Sequence, residues 1–376
     1  MADTNPNPCF YYHIGAVIGK GASGTVYRAF SNAPGVPRIV AVKKSKETNS
    51  SRNEATIMGQ IPPHPNFPRF FHTWVSFCGK RFIAMELIEG GKDLKQWLLE
   101  RDPKVPINPL QICRILVQIF EAIAHLHEHL IFHGDIKLAN IMIIEREDGT
   151  IEIKLIDFDF STHFHAVPQM QRGTPLYFSP EISRGINIDY RSDIWSSGIL
   201  ILFLLTGVQK PWFLQDAQSV AEIVKILGNI HRTGLQFPRE LLENEDPNVA
   251  FFARIARSCL ALEKSERPKA KDIVMELKEK LAELECADQE RADQEPADQE
   301  CANQECANQE RADQERANQE CADQECADQE RADQECADQE CANQERANQE
   351  SADQECADQE CADQERANQE RTFGNA

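Results

Sequence analysis

Residues 133–140 read HGDIKLAN, with a histidine, an aspartate, a lysine and an asparagine at fixed offsets and an apolar run at 141–144 directly behind. A surface turn between a helix and a strand explains such a stretch by itself. Catalysis needs more: groups elsewhere in the chain that bring a charged substrate and a metal to Asp135. Three other stretches offer them. Residues 19–26 read GKGASGTV, and glycines in a turn let backbone N–H groups approach phosphate oxygens where a side chain would obstruct. Small residues in a turn account for a lone G-x-G-x-x-G equally well. A dinucleotide-binding turn would be followed by a helix, with an acid about twenty residues on, whereas residues 25–30 have strand composition. Residues 40–43 read VAVK, and a lysine ending an apolar strand reaches a phosphate or a carboxylate, or simply extends to solvent as Lys44 and Lys46 would. Alternation with Val40 and Val42 suits an inward Lys43 only if the strand twists at its end. Glu54 is the candidate carboxylate partner, because Glu47 lies too close along the chain. Residues 155–159 read LIDFD, with an acid at the end of the apolar stretch 151–156. Mg²⁺ takes one or two protein carboxylates or amides together with phosphate oxygens and water. Asn140 and Asp157 would suffice, which leaves Asp135 to accept a proton from a hydroxyl.

Two kinds of element must hold these residues. Between residues 14 and 42, and again from 67 to 88, short runs rich in Val, Ile and Tyr are broken by Gly, Ser and Pro, which reads as strands. A short helix is expected at 53–61, closed by the PPHP breaker. Beyond Glu89, Gly90 and Gly91 the period becomes helical, at 94–100, 110–129, 193–206, 217–227, 249–260 and 269–284. In the second of these, Ile112, Ile115, Leu116, Ile119, Ile123 and Leu126 share one side. An α+β arrangement of two lobes with a cleft between them follows.

In this order and spacing, the phosphate loop, strand lysine, helix glutamate, H-x-D-x-K-x-x-N and D-F-x stretches match the parts for phosphoryl transfer by a protein kinase. The chain resembles the eukaryotic protein kinase family over roughly residues 11–284. Gly173-Thr174-Pro175-Leu176-Tyr177-Phe178-Ser179-Pro180-Glu181 is similar to the end of that family's activation loop, and Asp193-Ile194-Trp195-Ser196-Ser197-Gly198 to its D-x-W-S-x-G. The resemblance implies a β-rich N-lobe at 11–88 and a helical C-lobe at 89–285. It implies ATP held by Ile18, Gly19, Lys20, Gly21, Ala22, Ser23, Gly24, Thr25, Val26, Lys43 and Glu54, and by a hinge from Glu86 through Ile88, with Met85 guarding the pocket behind adenine. Mg²⁺ would sit on Asn140 and Asp157. Asp135 would orient the acceptor hydroxyl and Lys137 would steady the transferring phosphoryl group. Arg267 would brace Glu181. Lys137 and Thr174 point to the serine/threonine type, and hence to protein substrates carrying Ser or Thr. The rival from another class is a pseudokinase that binds nucleotide or a partner and transfers nothing. Such proteins usually lose the lysine, the base or the metal acid, all present here.

Two positions depart from the family. Gly134 stands where an arginine usually pairs with a phosphorylated activation loop, so less is available to grip such a phosphate. Between Asp157 and Thr174 the chain offers only Ser161 and Thr162 as hydroxyls. Activity independent of loop phosphorylation is the expectation. Asp159 stands where glycine is usual, at a cost of roughly 1–2 kcal/mol if its backbone were left-handed.

The charge belongs to one end of the chain. Residues 286–370 are seventeen units of the form [C/R/P/S]-A-[D/N]-Q-E, with 17 Glu and 11 Asp against 6 Arg. That outweighs the −21 of the whole chain, so the remainder is close to neutral, and no nucleic-acid partner is expected. Five residues advance a helix by about 500°, which smears each repeat position around the axis and excludes heptad pairing. This low-complexity tail is expected to be a solvated, partly formed helix or disordered. Nine of the thirteen cysteines lie in it, and Cys9, Cys78, Cys113 and Cys259 are widely spaced, which is neither a disulfide framework nor a zinc site. With no signal peptide in this sequence, an intracellular location, cytoplasmic or nuclear, is the expectation. The apolar run 199–205 is too short to span a bilayer, so no membrane partner is expected; the oligomeric state is left open. Deleting residues 286–376 is expected to leave phosphotransfer intact in a labelled-ATP assay, and loss of activity would contradict a modular tail.

Overall fold

The computed structural model describes residues 8–166, 170–207 and 210–372. Met1–Asp288 form one compact unit and Gln289–Ala376 a second. In the first, the β-branched and aromatic segments form five antiparallel strands: β1 (Tyr12–Gly21), β2 (Gly24–Ser31), β3 (Ile39–Lys46), β4 (Phe70–Val75) and β5 (Lys80–Met85), in the order β1-β2-β3-β5-β4. Helix α1 (Asn49–Gln60) connects β3 to β4. It begins four residues before the expected start because Thr48 and Ser51 cap it reciprocally, each side chain accepting from the other's backbone N–H. The sequence signature of this device has Glu or Gln at the third helical position, and here a serine does the work.

The period of two along β3 decides where Lys43 points. Val40 and Val42 join Tyr12, Ala29, Trp74 and Ala84 in a small core on one face of the sheet. Lys43 pairs in register with Ile83, which belongs to the main core together with Ile57 and Met58 of α1. Lys43 therefore lies on the opposite face from Val40 and Val42 by plain alternation, and the terminal twist expected from the sequence is unnecessary.

After Met85 the chain turns helical. Short β6 (Lys92–Asp93) precedes α2 (Leu94–Leu99) and α3 (Pro109–Glu128). Then come β7 (Ile131–Phe132), β8 (Ile141–Glu145), β9 (Ile151–Leu155) and β10 (Thr162–His163), arranged as a β6-β8-β9 sheet and a β10-β7 pair. The remaining helices are α4 (Pro180–Arg184), α5 (Arg191–Thr206), α6 (Val220–Thr233), α7 (Arg239–Leu242), α8 (Pro247–Cys259) and α9 (Ala270–Thr372). Ile112, Ile115, Leu116, Ile119, Ile123 and Leu126 of α3 are all buried, as their spacing requires. Among the described residues α3 is the one helix long and apolar enough to cross a membrane by length and composition, and most of it is buried in this core. Helix α5 is buried from Ser192 to Leu204. Its Gly198 lies so near α8 that a Cβ there would stand 2.9 Å from Cys259 Cβ and Leu260 Cγ. Cys113 and Cys259 are packing residues whose thiols burial pushes up to about 12. The apolar helical period ends near residue 284, beyond which the sequence reads as a partly formed helix or disorder. Helix α9 continues through the acidic segment, whose Ala, Gln and Glu favour helix.

Glu181 and Arg267 lock the lower part of this core. The guanidinium meets both carboxylate oxygens at 2.6 and 2.9 Å, lies over the Trp195 ring, and is matched by Ser192 donating to Glu181 at 2.6 Å. Burial works against the Glu181 charge, but Arg267 and Ser192 hold its carboxyl down at about 2. A carboxyl lowered on folding stabilises fully above its unfolded value of 4.5 and loses that contribution as the pH falls toward 2. Arg267→Leu leaves Glu181 buried without a partner and is expected to cost about 3–5 kcal/mol in urea unfolding at neutral pH. An unchanged midpoint would contradict the brace.

Candidate active site

The sequence nominates Lys43, Glu54, Asp135, Asn140 and Asp157, and the folding of the first unit brings their side chains into one region. Lys43 Nζ lies 2.6 Å from Glu54 Oε1 and 2.9 Å from Asp157 Oδ1. β3 supplies the lysine, α1 the glutamate, and the turn after β9 the aspartate. Burial opposes the Lys43 charge, but Glu54 and Asp157 raise its pKa above the ordinary lysine value. Asp157 is held below the ordinary range by Lys43 despite partial burial. Glu54 is the most buried of the three, and burial lifts its carboxyl to about 7 against the pull of Lys43. Asp157 is itself left-handed, with φ 67°, a conformation that Asp adopts more readily than most residues. Asp159 is not among the positive-φ residues, so the backbone cost anticipated there does not arise. Phe158 between them is buried against Phe67 and His133, which turns Asp157 outward to the lysine.

Asp135 sits in a dense hydrogen-bond set. Its Oδ2 accepts from Lys137 Nζ at 2.6 Å and from Asn140 Nδ2 at 3.1 Å. Its Oδ1 accepts from the backbone N–H and the hydroxyl of Thr174, both at 2.9 Å. Lys137 also donates to Thr174 Oγ1 at 2.9 Å. A lysine and a threonine hydroxyl thus converge on one carboxylate, at the position where an acceptor hydroxyl would have to be presented. Asn140 Nδ2 donates to the Asp135 carbonyl as well, and a planar amide held through its nitrogen turns its Oδ1 away from Asp135.

The backbone of this loop is held from below by a residue that sequence reasoning treated only as part of a pattern. Asp193, in the first turn of α5 and fully buried, accepts from the N–H groups of His133 and Gly134 at 2.9 Å each and from His127 Nε2 at 3.1 Å. An acid inside the first turn of an otherwise apolar buried helix was the available signal, because a buried charge demands partners. Gly134 also has a structural reason. Its φ is +81°, and a Cβ would stand 2.9 Å from the Phe160 carbonyl oxygen. A side chain at this position would be strained by the left-handed backbone and by the Phe160 carbonyl.

The glycine-rich turn joins β1 to β2. A Cβ on Gly21 would meet nothing within 4 Å, whereas one on Gly24 would strike the Lys44 carbonyl oxygen at 2.5 Å. Gly24 thus serves the contact between β2 and β3, whereas Gly21 faces open space. Ser23 Oγ reaches to within 3.5 Å of Asp157 Oδ1. Ile18 and Lys20 are in β1, and Thr25 and Val26 in β2, with Val26 paired to Lys43. Ala22 and Ser23 form the tip. Residues 86–88 lie in irregular backbone after β5. The Glu86 carboxylate turns to the Arg69 N–H and to Lys154 Nζ, each at 3.0 Å, so its side chain is engaged within the fold. Ile88 is half-buried beside Gly91.

These donors fit a nucleotide with Mg²⁺. Among the described residues no group of three or more His, Cys, Asp or Glu is arranged to hold a metal by itself. One carboxylate and one amide suit an ion that completes its shell with phosphate and water. The protein kinase domain model matches residues 12–277, and the chain belongs to the protein kinase family. It is 29% identical to myosin light chain kinase 3 of Homo sapiens over 55% of this chain and 25% of that protein. It is 31% identical to serine/threonine-protein kinase pkn3 of Myxococcus xanthus over 53% and 38%, and 32% identical to serine/threonine-protein kinase max-2 of Caenorhabditis elegans over 56% and 32%. The chain thus spans well under half the length of these relatives. Gly134→Ala is expected to destabilise the protein by about 1–3 kcal/mol through its left-handed backbone, read as a lowered thermal midpoint. A neutral substitution would contradict the constraint.

Proposed function

We propose that the protein is a serine/threonine protein kinase that transfers the γ-phosphate of ATP, with Mg²⁺, to hydroxyls of protein substrates. The observation that carries this reading is the Asp135–Lys137–Thr174 set, placed beside a lysine already paired with both Glu54 and Asp157. Lys43 would hold the α- and β-phosphates, with Glu54 fixing the direction of its ammonium. Asp157 and the Oδ1 of Asn140 would hold the metal, which when bound neutralises phosphate charge. Backbone N–H groups around Gly21 would lie over the phosphates. Asp135 would accept the hydroxyl proton of the substrate, and Lys137 would compensate charge on the moving phosphoryl group. The Thr174 hydroxyl donates to the carboxylate of Asp135, which supports a site built for aliphatic hydroxyls. The relatives named as serine/threonine kinases favour the same acceptor class.

Ser161 and Thr162 do not present themselves as control sites in this conformation. Ser161 is buried, with its hydroxyl on the His133 carbonyl at 3.1 Å. Thr162 is in β10, paired with Phe132. Both observations support activity without loop phosphorylation.

Phosphate incorporation from labelled ATP is expected to require Mg²⁺. It is expected to fall about 10²–10⁴-fold in Asp135→Asn, the range associated with loss of a general base. No incorporation by the parent chain into itself or any protein would favour a pseudokinase.

A further inference from the structure

Helix α1 carries Glu54, so whatever holds α1 in place holds the ion pair to Lys43. Ser50, Asn53 and Gln60 recur on α1 at intervals that share one face with the buried Ile57. All three reach the segment after Phe158. Ser50 Oγ stands 2.9 Å from both the carbonyl oxygen and the carboxylate Oδ1 of Asp159. Asn53 Nδ2 donates to the Ser161 carbonyl, and Gln60 Oε1 lies 3.0 Å from His163 Nε2. The Asp159 contact is the one in which a charge takes part. It is also made in the first turn of α1, where the positive end of the helix favours an anion. Ser50 lies one turn before Glu54 on the same helix.

We propose that Asp159 is a positioning residue: through Ser50 it fastens the first turn of α1 to the loop that carries Asp157, and so holds Glu54 on Lys43 without a phosphate on Ser161 or Thr162. A glycine at 159 would leave only the carbonyl as an acceptor. The carboxylate adds a second acceptor and a charge, on a loop whose usual basic phosphate partner is replaced by Gly134. This rests on the kinase reading for its effect on rate, while the fastening itself is a property of the fold.

The test compares the full chain with Asp159→Gly, Asp159→Asn, Ser50→Ala and the Ser50→Ala/Asp159→Gly double variant. Two readouts are taken: phosphotransfer kinetics, and hydrogen exchange of residues 49–60. Asp159→Gly and Ser50→Ala are each expected to lower kcat about tenfold, the equivalent of one hydrogen bond to a charged group. The protein-substrate KM should not change. The double variant should be no worse than the worse single one, and Asp159→Asn, whose amide oxygen can accept the same hydroxyl but carries no charge, should lose less than Asp159→Gly while staying below the parent. Exchange over 49–60 should rise in the Gly and Ala variants and rise less in Asn. Losses that multiply in the double variant, or unchanged exchange in Asp159→Gly, would overturn the proposal. An inactive parent would defeat the kinase reading alone, and the exchange measurement would still decide the fastening.

Discussion

A buried ammonium is the constraint around which this structure is organised. Removing Lys43 from water carries a penalty of several kcal/mol, and it is borne only because two carboxylates arrive from elements 11 and 114 residues away in sequence. That requirement fixes much else. β3 must turn Lys43 away from the small core that takes Val40 and Val42. Helix α1 must dock so that Glu54 faces the sheet. The turn after β9 must bury Phe158 and present Asp157, and it does so by placing Asp157 in the left-handed region. Remove the helix or the turn and Lys43 keeps one carboxylate where it had two.

The second anchored unit is the loop from His133 to Asn140. Its Lys137 and Asn140 converge on Asp135, Ile136 and Leu138 enter the main core, and its backbone rests on Asp193 of α5. Helix α5 is in turn joined to α4 and to the segment preceding α9 through Ser192, Glu181 and Arg267. Through the adjacent Ser192 and Asp193, the ion pair in the helical interior is tied to the backbone of the loop that carries Asp135. The proposed base is held by a rigid helix and not by a surface turn, which suits a group that must be in place before the substrate arrives.

Much of this was legible in residue order. The change from period two to period 3.6 separates sheet from helices, and the five charged or amide groups stand at spacings that already pointed to one site. Other features were not legible, for physical reasons. The cap of α1 uses serine where the readable signal is Glu or Gln. Whether Gly134 and Gly24 serve a ligand or the fold depends on which carbonyl lies opposite, and local sequence is silent on that. The bond between Ser50 and Asp159 joins positions 109 apart, and each residue alone has an ordinary explanation as a helix-start serine and a loop acid. Asp159 was weighed for its backbone cost, while the structure uses its side chain.

Titration calorimetry of ATP into the full chain, with and without Mg²⁺, tests most directly whether a nucleotide and its metal belong between Lys43 and Asp157. The expected result is ATP binding that Mg²⁺ strengthens, with that gain lost in Asp157→Asn. Equal affinity with and without Mg²⁺, unaltered by Asp157→Asn, would contradict it.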